Sequence, residues 1–165
     1  IGNIPESGDE VPDILNEIMW NLEWMISMQD PYDGGVYHKL TTKKFSDAIM
    51  PHMATAPRYV VQKSTGAALN FSATMAMAAR VYKDIGDYQE KSTEFERAAI
   101  NAFSWAIANP NAEYKQPKDI KTGMYDDSDF DGEFAWAAAE LYLLTKEQHY
   151  LESFNQICIK SKSRK

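Results

Sequence analysis

Two short stretches hold the residue types best suited to chemistry. The first is VYHKL, residues 36–40, where His38 stands in a polar, aromatic-flanked loop. An imidazole donates to hydroxyls and packs on ring faces. It serves a loop equally well by bonding a backbone carbonyl. Lys39, Phe45 and His52 share this loop and are candidates for the same wall. The second stretch is YDDSDFDGEF, residues 125–134. Closely spaced carboxylates on a turn suit a hard cation such as Ca²⁺, which takes roughly six to eight oxygen ligands. Acids there also suit a helix N-terminus, whose dipole favours negative charge. Other chemistries find no support. His149 and Cys158 match no zinc spacing, and G-x-S-x-G, phosphate-loop and Rossmann fingerprints are absent.

The elements that must position these stretches are helices. Pro12 sits near the first position of a helix over about 11–28, where its missing N–H costs nothing. Ile14, Leu15, Ile18, Met19, Leu22, Met25 and Ile26 recur there as one expected core stripe. DPYDGG, 30–35, ends that helix with turn signals. Residues 36–63 lack helical periodicity, and Pro51, Pro57 and the VYHKL and RYVV runs suggest an extended loop, with room in it for a short hairpin. Ser64 is the expected N-cap of a second helix over 65–85, with Gly86 as its stop. A third helix is expected over 88–108, a loop over 110–131, a fourth helix over 132–145 and a fifth over 147–159. The second and fourth are apolar nearly all round, the mark of helices buried on most sides. Such alternation suits stacked helical hairpins in an all-α fold. The four Trp are expected in core or inter-helix packing.

Composition narrows the partners. The net charge of −7 argues against nucleic acid and anionic membranes. No run is long and apolar enough to span a bilayer, since Asn70, Ser72, Thr74 and Arg80 interrupt the best candidate. The basic end, KSKSRK, reads as a solvated terminus. The single Cys158 excludes an internal disulfide. Four Trp, nine Tyr and seven Phe are many for 165 residues. They fill cores first, and they are also platforms on which sugar rings stack.

The opening stretch IPESGDEVPDILNE, residues 4–17, closely resembles a segment of glycoside hydrolase family 9, the endoglucanase family of inverting cellulases. GGVYHKLT (34–41), PRYVVQKSTGAALNFSATMAMAARVY (57–82) and GEFAWAAAELYLLT (132–145) resemble it in the same order. The resemblance implies an all-α chain that is part of an (α/α)6 barrel, with residues 1–165 as a single fragment of the catalytic domain. It implies β-glucan as substrate and a secreted or periplasmic parent. The family's DAGD motif and its distant general-acid glutamate have no counterpart in this sequence. The fragment is therefore expected to be inactive, and its apolar second and fourth helices are expected to drive self-association.

The resemblance also implies site residues. A histidine in the His38 loop helps to bind the sugar chain near the cleavage point, and Lys39 and Phe45 would line that wall. A tyrosine near Tyr125 approaches the catalytic water and acid in the complete barrel. A calcium site often lies just before the fourth helix. Ser128, Asp129 and Glu133 match its pattern, Gly132 replaces an expected aspartate, and Asp131 stands one place away. Two other readings remain open: a non-catalytic glycan-binding or helical interaction module, and a relative acting on amino-sugar oligosaccharides.

Overall fold

The computed structural model describes residues 4–9, 11–125 and 127–162, with side chains described as far as Ile159. Five helices carry the chain: α1 Asp13–Ile26, α2 Thr65–Tyr82, α3 Gln89–Ala108, α4 Asp131–Thr145 and α5 Gln148–Lys162. Two short 3₁₀ turns, Pro51–Met53 and Gly86–Tyr88, lie between them. A two-stranded antiparallel hairpin, β1 Leu40–Thr41 and β2 Tyr59–Val60, pairs Leu40 with Val60 and Thr41 with Tyr59. Flanking bridges join Tyr37 to Lys63 and Gln29 to Val36.

α2 is the centre. It packs on α3 and α4, and α4 packs in turn on α5. Its composition explains this. Ala68, Ala73, Ala76 and Ala79 are fully buried and let backbones approach, while Leu69, Phe71 and Met75 fill the gaps. α3 answers with buried Ala98, Ala99, Ala102 and Ala106. Two buried serines close the seam. Ser72 Oγ donates to the Ala99 carbonyl (2.8 Å), and Ser92 Oγ donates to the Ala79 carbonyl (2.9 Å). Each satisfies a hydroxyl that would be costly to bury alone. Arg80 and Glu140 form an ion pair from α2 to α4.

The start of α2 is held from two sides. Ser64 accepts the Ala67 N–H as N-cap (3.2 Å). Thr65, fully buried, donates to the Asn109 carbonyl and accepts the Ala112 N–H (2.9 Å). At the other end of the core, the Tyr82 hydroxyl donates to the Leu15 carbonyl of α1, and burial pushes its pKa up to about 12.

α1 departs from the expected stripe. Its buried residues are Asn16, Met19 and Leu22. Ile14 is 67% exposed, Ile18 is 42% exposed, and Trp20 and Trp24 also face outward. The tryptophan expectation therefore fails for Trp20 and Trp24, and Trp136 is exposed too. The physical reason is that α1 meets the core on one side only, through Met19 and Leu22, so the apolar residues elsewhere on it stay outside. α1 thus exposes four large apolar side chains, Ile14, Ile18, Trp20 and Trp24. Such exposure was expected on α2 and α4: α2 is mostly buried, whereas α4 buries only Ala137, Ala138 and Leu141 and exposes Trp136 and Leu143.

Candidate functional site

The DPYDGG turn after α1 sets the frame of the site. Gly34 has φ +80°, a left-handed conformation that glycine adopts without strain. A Cβ on Gly35 would stand 2.6 Å from the Trp105 indole and 2.8 Å from Lys63 Cδ, so only glycine fits beneath them. Lys63 Nζ bridges Asp30 (2.7 Å) and Asp33 (2.7 Å). Tyr37 donates its hydroxyl to Asp30 (3.0 Å), and Trp105 Nε1 donates to Asp33 (3.2 Å). Gln29 Nε2 donates to the carbonyls of Gly34 and Ala98, which fastens the turn to α3. The bond from Lys63, then the Tyr32 N–H, hold the Asp30 carboxyl at about 2 against its ordinary 3.8. Asp33 is lowered too, first by Lys63.

A pH dependence follows. Asp30 is depressed in the fold, so its contribution is present above pH 3.8 and is lost as pH falls through about 2. Asp30→Asn is expected to flatten the stability-versus-pH curve in that window and to leave its slope near neutrality unchanged. Urea midpoints across the acid range check this. Parallel curves for both proteins would refute it.

From this turn the chain enters the hairpin, and the hairpin walls a cleft of about 580 Å³. Trp24, His38, Lys39, Asn70, Tyr114 and Tyr125 are among its lining side chains. His38 Nδ1 lies 2.8 Å from Ser64 Oγ, and Nε2 lies 3.1 Å from the Met124 carbonyl oxygen. Its ring stacks on Tyr114 with centroids 4.0 Å apart and planes 6° from parallel. Lys39 Nζ donates to Gln116 Oε1 (2.8 Å), Thr122 Oγ1 (3.3 Å) and the Gly123 carbonyl. Burial pulls its pKa below the ordinary lysine value. Lys39 also lies over the Tyr114 ring, 5.4 Å from the centroid. Its ammonium thus clamps the 110–125 loop onto the hairpin. Thr41 and Thr122 hydroxyls (2.8 Å) and the Lys43–Asp119 pair (2.8 Å) reinforce that clamp.

The other sequence candidates divide. Tyr125, 77% exposed and at φ +57°, lines the main cleft and a shallow neighbour of about 360 Å³. Phe45 lines that neighbour, with Arg58, and is exposed. His52 sits on the exposed Pro51–Met53 turn, apart from the main cleft. In the acidic turn, Asp127 Oδ1 accepts the N–H groups of Ser128 (2.7 Å) and Asp129 (3.1 Å), and Asp129 Oδ1 accepts that of Asp131 (3.2 Å). Ser128, Asp129 and Asp131 line a second cavity of about 550 Å³, whereas Glu133 lines the main cleft. Among the described residues no group of three or more His, Cys, Asp or Glu side chains is placed to hold a metal. As it stands, the four-residue set does not converge on one ion.

Tyr114 and the link from Ser64 to His38 were not singled out from the sequence. Tyr114 lies in a segment that reads only as polar loop. Ser64 was legible as a helix cap, but its second bond reaches across 26 positions, and no local pattern signals that.

The profile described as Glycosyl hydrolase family 9 matches residues 3–165. The chain belongs to this family. A relative at 45% identity over 161 residues is the xyloglucan-specific endo-beta-1,4-glucanase BoGH9A of Bacteroides ovatus, with 91% of this chain and 27% of that protein aligned. Endoglucanase C of Cellulomonas fimi is 37% identical over 155 residues, covering 90% of this chain and 14% of that protein. Among solved structures, Bacteroides ovatus GH9 superposes with TM-score 0.88 at 45% identity, covering 94% of this chain and 30% of that one. AaCel9A in complex with cellobiose-like isofagomine gives 0.86 at 30% identity, covering 91% of this chain and 28% of that one. The chain thus spans about a quarter of the length of BoGH9A. Its all-α stacked hairpins are part of the family 9 (α/α)6 barrel. α2, buried on most sides, has the character of an inner-ring helix of such a barrel, whereas α4 buries only Ala137, Ala138 and Leu141 among the described residues.

Proposed function

We propose that this chain forms one wall of the substrate cleft in an enzyme that hydrolyses β-1,4-glucan chains with inversion, of endoglucanase type. The observation that carries the reading is the 580 Å³ cleft, with the stacked His38–Tyr114 pair and Tyr125 on its wall. Flat rings beside hydroxyl and imidazole groups are what a pyranose ring needs. His38 and Tyr125 are assigned to sugar contact, Lys39 to holding the wall, and Phe45 to the outer, shallower groove. In the inverting scheme one carboxylate activates water and a carboxylic acid protonates the leaving oxygen, roughly 6.5–9.5 Å apart. Neither role is assigned to a residue of this chain.

The test starts with the full-length gene. A DAGD motif upstream of Ile1 is expected, and the whole enzyme should cleave cellulose-type glucan or xyloglucan with inverted anomeric product. Amino-sugar oligosaccharides are the control. Cleavage of those alone would replace the glucan reading, and no cleavage of any of them would favour a non-catalytic module. We infer a secreted or periplasmic location for the parent, which cell fractionation would check.

Self-association belongs to the same proposal. Ile14, Ile18, Trp20 and Trp24 are exposed apolar side chains on α1, the two pairs parted by the exposed Glu17 and Asn21, and exposed apolar surface drives association. Light scattering of the 165-residue chain is expected to show concentration-dependent species above monomer, reduced in Ile18→Ser/Trp20→Ser. A clean monomer at high concentration, with little dye binding, would reject this.

Calcium is proposed only as a weak ligand of the 128–133 turn. Support comes from composition, because Glu133 would have to turn from the main cleft toward Ser128, Asp129 and Asp131. Binding to the folded state alone would add RT ln(1 + [L]/Kd), about 2.7 kcal/mol at a hundredfold excess over Kd. The expected result is a melting shift at millimolar but not micromolar calcium, lost in Glu133→Gln. No shift, or an unchanged shift in the variant, would remove calcium from the account.

A further inference from the structure

We propose that Ser64 is a positioning residue that holds His38 as the neutral imidazole with its proton on Nε2. The Met124 carbonyl oxygen, 3.1 Å from Nε2, can only accept. Nε2 therefore carries a hydrogen. The Ala67 N–H, 3.2 Å from Ser64 Oγ, can only donate. Beyond that bond, Ser64 Oγ has no other hydrogen-bond partner among the described residues than His38 Nδ1, 2.8 Å away, so the buried serine proton finds its acceptor there and would otherwise be left unsatisfied. A hydroxyl that donates to Nδ1 requires a lone pair there, so the ring is uncharged. Ser64 is 1% exposed, which shields the bond from competing water. Tyr114, stacked within 6° of parallel, fixes the plane in which both bonds are made.

The consequence joins helix and cleft. Ser64 is the N-cap of α2, so the peptide group that starts the central helix also selects the tautomer of a side chain on the cleft wall. A ligand hydroxyl that replaces the Met124 carbonyl would meet a neutral, preoriented N–H donor. That step rests on the glycan reading above, whereas the tautomer assignment does not.

The experiment is a long-range ¹H–¹⁵N correlation spectrum of the full 165-residue chain, labelled at its three histidines, at neutral pH without carbohydrate. His38 is expected as a single Nε2–H tautomer. Ser64→Gly keeps an acceptable N-cap but removes the hydroxyl. It should retain the helical circular dichroism and shift His38 to a mixture of tautomers. Ser64→Thr should restore the wild-type pattern. A wild-type His38 that is doubly protonated or carries its proton on Nδ1 would overturn the assignment, whether or not any variant folds. So would a folded Ser64→Gly with an unchanged Nε2–H signature. A full-length enzyme inactive on every glucan would sink the glycan reading and leave these spectra untouched.

Discussion

The purified 165-residue chain is expected to release no reducing ends from soluble β-glucan. Both ring nitrogens of His38 are engaged within the chain, and the three donors of Lys39 are spent on Gln116, Thr122 and Gly123. Two carboxylates line the cleft among the described residues, Asp127 and Glu133. Asp127 already accepts two backbone N–H groups through one oxygen. Neither stands in the family's catalytic motifs, and the sequence contains no DAGD. Losing one general acid or base typically costs about 10²–10⁴-fold. Losing both roles should leave turnover below detection in a reducing-sugar assay. Turnover that Asp127→Asn or Glu133→Gln abolishes would overturn this and make those residues the working pair.

Much of this arrangement was legible in the residues. Ser64 as a cap, Gly86 as a stop and the all-round apolarity of residues 65–82 define α2 by local rules alone, and α3, α4 and α5 followed from the same periodicity. The hairpin was foreshadowed by VYHKL and RYVV, which meet as Leu40–Val60 and Thr41–Tyr59. What stayed hidden was long-range and polar. Lys63 reads locally as a charge before a cap, yet its neighbours Asp30 and Asp33 lie about thirty positions earlier. Tyr114 becomes part of the site only because Lys39 and Thr41 pull its loop onto the hairpin. Such bonds depend on how distant segments are brought together, and periodicity carries no record of that. The acidic turn shows the converse limit. Its spacing suggests one cation site, but the start of α4 turns Glu133 to one cavity and Asp129 and Asp131 to another.

The outward face of α1 and the core behind it give the sharpest contrast in stability. Phe95→Ala is expected to cost about 3–5 kcal/mol, the range for truncating a buried aromatic. Phe95 is fully buried and packs edge-on to Tyr82 at 6.1 Å, and Tyr82 in turn bonds the Leu15 carbonyl of α1. The cavity would open beside Tyr82, where α2 and α3 pack. Against a net stability of roughly 5–15 kcal/mol for a natural domain, that loss approaches unfolding. Ile14→Ala is the counterpart. The sequence stripe puts Ile14 in the core, but it is 67% exposed, so its truncation should fall within about 0.5 kcal/mol of wild type. Urea unfolding at low protein concentration, where association is suppressed, measures both through the midpoint at constant slope. A large loss for Ile14→Ala beside a small one for Phe95→Ala would restore the stripe as the buried face and reject the packing of α1 described above.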